Sequence, residues 1–148
     1  MESTVRPIEI LLVEDNEGDA RLARESLKES KVMNSVHHVS DGVEAMNFLY
    51  RRDRYKDVPR PDLILLDLNL PRKDGREVLA EIKNDEDLKR IPVVVLTISS
   101  DEQDIIKTYN LHVNCFITKP IDLEQFLIVV HSIEDFWLTI VKLPNSKK

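Results

Sequence analysis

One six-residue run, Asp62-Leu63-Ile64-Leu65-Leu66-Asp67, limits the architecture more than any other feature of the chain. Successive strand residues point to opposite faces, so a strand apolar at every interior position is buried on both. That is the habit of a parallel sheet covered by helices. Other runs repeat the pattern and end in reactive groups. Ile8-Glu9-Ile10-Leu11-Leu12-Val13 leads into Glu14-Asp15, Val93-Val94-Val95-Leu96 into Thr97, and Cys115-Phe116-Ile117-Thr118 into Lys119-Pro120. Ser35-Val36-His37-His38-Val39, the shortest strand-like stretch, brings no obvious reactive group. Helix-like segments alternate with these runs. The alternation predicts an α/β fold: a doubly wound, five-stranded parallel sheet with helices on both faces.

Helical spacing predicts a first helix over residues 17–30, with Leu22, Ala23 and Leu27 on its inner face. Asp41-Gly42 opens a second, for which Val43, Met46, Phe48 and Leu49 supply a broad apolar side. A third covers residues 75–83 with Val78, Leu79 and Ile82. A fourth, over residues 101–110, begins with the capping stretch Ser99-Ser100-Asp101-Glu102, and a fifth runs from near Asp122 to about residue 141. Two loops are long. Residues 51–60 are strongly charged and read as a solvated surface loop, with a docking site as the alternative. Residues 84–90 join the third helix to the fourth strand without an assigned function.

The chain has 148 residues, a single domain's worth. Its net charge of −6 argues against a nucleic-acid partner, since phosphate backbones need clustered positive charge. No apolar segment follows Met1-Glu2-Ser3-Thr4, so no secretory signal is expected, and no apolar stretch is long enough to span a membrane. The lone Cys115 lies in an apolar strand, which suits an inert core thiol. These features predict a cytoplasmic protein.

Parallel strands bring their carboxyl ends to one rim, where ligands of such sheets gather. Glu14, Asp15, Asp67, Thr97 and Lys119 would meet there. A carboxylate is a poor nucleophile towards phosphate because both are negative; unit charges about 4 Å apart repel by roughly 4 kcal/mol at an effective dielectric near 20. A divalent cation removes that obstacle for the crowded acids and for the incoming group. All-oxygen ligation with room for water suits Mg2+, and no His/Cys set has zinc-ligand spacing. Lys119 offers a fixed positive charge and Thr97 a hydrogen-bond donor for phosphoryl oxygens. The set is equipped for metal-assisted phosphoryl transfer onto Asp67.

On these residues the chain resembles the receiver domains of two-component response regulators, the chemotaxis-regulator-like family with a flavodoxin-like fold. The resemblance runs from about Ile8 to Ile133. Glu14-Asp15 is similar to the acidic pair after the first strand, and the stretch from Asp67 through Asn69, Pro71 and Asp74 to Gly75 to the family's Asp-x-x-x-Pro-x-x-Asp-Gly loop. Thr97 and Lys119-Pro120 match the hydroxyl and lysine-proline signatures. The resemblance implies that Asp67 is the phosphoacceptor, and that Asp15 and Asp67 ligate Mg2+ directly. Asn69 would add its backbone carbonyl, and Glu14 would act through water. It also implies that Lys119 pairs with the phosphoryl group before a cis Pro120. Phe116 lies where the family keeps its switch aromatic; a permanently buried strand residue is the alternative. Glu14 departs from the commoner Asp, and bulky Ile98 follows Thr97 where a small residue is usual.

Narrower details, Leu65-Leu66-Asp67-Leu68-Asn69-Leu70-Pro71, His112-Val113-Asn114-Cys115 and Phe136-Trp137, resemble the stand-alone regulators served by phytochrome-type histidine kinases. The expectation is a single receiver with a core over about residues 8–133, an extended helix and tail over 134–148, and no output domain. A rival reading is an aspartate-nucleophile phosphatase, but such enzymes place an acid two residues after the nucleophile, where this chain has Asn69. The fifth predicted helix continues into Phe136, Trp137, Leu138, Ile140 and Val141, more apolar surface than a receiver needs. This predicts a homodimer through the fourth helix, fifth strand and fifth helix, with folding back onto the domain as the alternative.

Overall fold

The apolar runs hydrogen-bond side by side in one all-parallel sheet. The computed structural model describes residues 7–29, 33–97, 115–118 and 124. Its strands are β1 (Ile8–Val13), β2 (Asn34–Val39), β3 (Leu63–Asp67), β4 (Val93–Thr97) and β5 (Cys115–Thr118), in the order β2-β1-β3-β4-β5. Register pairs Val13 with Val39 on one side and with Leu66 on the other, and Asp67 with Leu96. The chain steps outward from β1 to β2, then returns past β1 to β3. A topological switch point therefore lies between the carboxyl ends of β1 and β3.

Both faces of the sheet are covered, as its strand composition requires. Leu11, Val13, Ile64, Leu66, Val93 and Val95 pack with side chains of α2 (Gly42–Leu49) and α3 (Gly75–Lys83). Ile10, Leu12, Leu63, Leu65, Val94 and Leu96 face α1 (Glu17–Lys28) through Ala20, Ala23 and Leu27. Each of these three helices begins on a side chain that satisfies some of its open N–H groups. Asn16 accepts from Asp19 N–H at 2.9 Å and Asp41 from Glu44 N–H at 2.8 Å. Asp74 and Glu77 form a reciprocal capping box.

Several expectations are corrected. α1 ends at Lys28, two residues short of the predicted stop, and Leu22 is 47% exposed rather than inward-facing. The buried stripe is Ala20, Ala23 and Leu27, at i, i+3 and i+7, and Leu22 lies about 100° round the helix from Ala23. On α2 the buried side is Ala45, Met46 and Phe48, with Val43 only partly covered. β2 is not the shortest strand: it begins at Asn34 and equals β1 at 6 residues.

The charged loop 51–60 is exposed at its arginines but is not simply solvated. A single 3-10 turn, Asp53–Tyr55, drives Tyr55 into the core, where its ring lies 5.4 Å from Phe48 and its hydroxyl donates to Glu44. Burial, reinforced by Glu44, pushes the Tyr55 phenol above its ordinary pKa. The loop 84–90 likewise contains a short 3-10 turn, Leu88–Arg90, with Leu88 buried. The fourth predicted helix, all of the fifth except Glu124, and the aromatic tail lie outside the described residues.

Candidate functional site

The acidic rim forms because β1 and β3 end in register. Val13 pairs with Leu66, so the next residues, Glu14 and Asp67, emerge side by side at the switch point. Both are buried, at 1% and 3% exposure, whereas Asp15 is exposed. Carboxylate oxygens of Glu14, Asp15 and Asp67 all lie within 4.8 Å of one another. Each pair at such a distance repels by roughly 3 kcal/mol at an effective dielectric near 20. Two of the three are withdrawn from water, and a divalent cation held among their oxygens would offset that repulsion.

Each acid is held by its backbone surroundings. Glu14 N–H donates to Val39 carbonyl at 3.1 Å, the last rung between β1 and β2, and Asn16 N–H donates to the Glu14 carboxylate at 3.1 Å. The Asp67 carboxylate accepts from Asn69 N–H at 3.1 Å, which orients it and fixes the start of the loop that follows. That loop folds back tightly, with Gly75 N–H on the Leu68 carbonyl at 2.9 Å. A Cβ at Gly75 would overlap the Asp67 carbonyl and Leu68 Cα. At the loop's outer end Arg72 adopts φ 65°, and Lys73 N–H closes onto the Pro71 carbonyl at 2.7 Å. There the loop rests on the start of α2: a Cβ at Gly42 would strike the Lys73 backbone, and Arg72 pairs with the Asp41 cap at 3.4 Å.

Of the residues expected at the site, the fold brings Glu14, Asp15 and Asp67 together and places Asn69 against Asp67. Thr97 ends β4 one residue beyond Leu96, the register partner of Asp67. Phe116 pairs with Val95 in β5, and Thr118 with Thr97. Lys119 and Pro120 follow β5 and lie outside the described residues, as does Ile98. The longer Glu14 side chain does not spoil the cluster, since its oxygen stays within reach of the other two acids. The donor set is all oxygen, with an exposed edge at Asp15 where water can complete the shell; these residues fit a hard divalent cation.

Sequence reasoning missed three contributors. His38, on the strand thought to bring nothing, donates to the Glu14 carbonyl at 2.7 Å. Its place at the carboxyl end of β2 was the available signal. Gly42 and Gly75 matter for the lack of a side chain at close approach, and both stand in readable Asp-Gly pairs.

Known proteins match the chain in sequence and fold. The family model for the response regulator receiver domain matches residues 10–131. Response regulator Rcp1 of Synechocystis sp. is 56% identical over 140 residues, 95% of each chain. The structure of the phosphorylated cyanobacterial phytochrome response regulator RcpA superposes with a TM-score of 0.75 at 56% identity, covering 92% of this chain and 97% of that one. The Mn2+-bound form of Rcp1 gives a TM-score of 0.73 at 56% identity, covering 91% and 97%.

Proposed function

The chain belongs to the response regulator receiver family, and from that membership we propose that Asp67 is its phosphoacceptor, loaded by a histidine kinase with Mg2+ at the acidic rim. Its relatives are signalling proteins, and the phosphatase alternative has no support among them. The observation that carries the reading is the meeting of Glu14, Asp15 and Asp67 at the β1/β3 switch point.

In this reading Asp15 and Asp67 hold the cation through carboxylates, Asn69 through its backbone carbonyl and Glu14 through water. When bound, Mg2+ neutralises the acids and polarises the incoming phosphoryl oxygens. A carboxylate oxygen of Asp67, oriented by the Asn69 N–H, bonds to phosphorus as the bond to the kinase imidazole breaks. Thr97 and Lys119 then each take a phosphoryl oxygen. Because they engage the group only after it arrives, they bias the equilibrium between two conformations, with Phe116 turning inward as Thr97 moves. The lysine precedes a cis Pro120. Self-phosphorylation from small donors and slow loss of the phosphoryl group are the only reactions.

The receiver works in the cytoplasm with its kinase. RcpA is described as a phytochrome response regulator, which supports a phytochrome-type kinase as partner. The output is protein–protein interaction, including a homodimer through the fourth helix, fifth strand and fifth helix. No helix among the described residues is long and apolar enough to cross a membrane.

Acetyl phosphate with Mg2+ should label the protein, and chelation should abolish labelling. Asp15→Ala should weaken cation binding more than Glu14→Ala, because Asp15 touches the ion directly. Equal labelling with and without chelator would contradict the electrostatic account.

A further inference from the structure

Glu14 is tied down at each of its polar groups, and one tie comes from a side chain on a different strand. Its N–H bonds the Val39 carbonyl and its carboxylate accepts from Asn16 N–H. β2 ends at Val39, so the ladder stops there. The Glu14 carbonyl is met instead by His38 Nε2 at 2.7 Å. On the other side of the ring, Nδ1 lies 3.1 Å from a guanidinium nitrogen of Arg24 on α1. A guanidinium only donates and a carbonyl only accepts. Nδ1 therefore accepts from Arg24 and Nε2 donates to Glu14, which fixes both the tautomer and the tilt of the ring. The imidazole joins β2, the β1–α1 turn and α1 at the residue that begins the acidic cluster.

We propose that His38, held by Arg24, is a positioning residue for the acidic site: it sets the backbone of the β1–α1 turn so that Glu14 and Asp15 present their oxygens at a spacing a divalent cation accepts. The proposal rests on the reading of that rim as a cation site. Side chains that orient ligands from outside govern how closely the ligands match the ion, and their removal commonly weakens binding. Here the oriented unit is a turn, and the cost of misplacing it falls on two acids at once. Mutual repulsion drives those acids apart whenever the backbone permits.

Titration calorimetry with Mn2+ and with Mg2+ on the full chain tests this, alongside thermal melting without metal. His38→Leu removes both hydrogen bonds and should lower cation affinity about tenfold. His38→Gln keeps one amide donor and one acceptor on a side chain of similar reach, and should restore affinity to within about twofold of the wild type. Arg24→Met keeps the apolar stem but frees the ring, and should fall between, at about threefold. In 15N spectra of histidine-labelled protein, His38 should show the Nε2–H tautomer. The inference is overturned if His38→Leu binds Mn2+ as the wild type does. It is equally overturned if His38→Gln melts like the wild type yet binds as poorly as His38→Leu. Should His38→Leu not fold, Arg24→Met and His38→Gln still decide, because wild-type affinity in Arg24→Met together with a different tautomer overturns it as well. A wild-type protein that takes up neither ion overturns the cation site itself, and this proposal with it.

Discussion

Glu14, Asp15 and Asp67 repel one another, yet the backbone gives them little room to separate. The constraint nearest Asp67 is Gly75, whose missing side chain lets α3 start directly against the Asp67 and Leu68 backbone. Neither neighbour is a flexible side-chain tip, so an added methyl must move the loop itself. Gly75→Ala should therefore destabilise the fold by about 1–3 kcal/mol, read by denaturant unfolding, and weaken Mg2+ binding by displacing Asp67. Wild-type stability and affinity together would show that the loop adjusts freely. The three acids were legible because each ends an apolar run, and register then made them neighbours. The glycines' role was not, since it depends on segments far apart in sequence coming within van der Waals contact. His38 was hidden for a related reason: on a half-covered edge strand, alternation does not say which polar side chain turns towards the site.

At the scale of elements, the helix start at Asp41-Gly42 was legible, and α3 keeps its expected span. Loop interiors could not. The turn after α3 is organised by Asp85, whose carboxylate accepts from Leu88 N–H at 2.9 Å and Asp87 N–H at 2.8 Å. The Leu88 bond first, then that of Asp87, holds its pKa below the usual carboxylate value. A depressed folded pKa means the stabilisation is fully present above the unfolded value near 3.8, and is lost as pH falls through the folded one. Asp85→Ala should lower the thermal midpoint at neutral pH, and the gap to wild type should close in strong acid. A gap that persists unchanged at the lowest pH would argue that the carboxylate's hydrogen bonds are not its source. Tyr55 shows the same blindness from the other side. Nothing in a run of arginines and acids marks one tyrosine as core, and only its tilted ring contact with Phe48 and its bond to Glu44 reveal it.

For the whole molecule, the parallel sheet follows from runs apolar on both faces, which is why the fold class was readable without any contact information; the order β2-β1-β3-β4-β5 carries no such local signal. Assembly is another matter, because it depends on surfaces that a single chain's periodicity cannot assign to self or partner. The proposed homodimer predicts that the full chain sediments as a dimer at tens of micromolar and that a chain ending at Glu134 does not; monomers in both cases, with and without phosphorylation, would rule it out. The account as a whole turns on one carboxylate at the switch point. Its most direct test is mass spectrometry of the intact protein and its peptides after treatment with acetyl phosphate and Mg2+. The account predicts a single base-labile phosphoryl group on the peptide carrying Asp67, and none in Asp67→Asn; uptake by Asp67→Asn at the wild-type rate would contradict it.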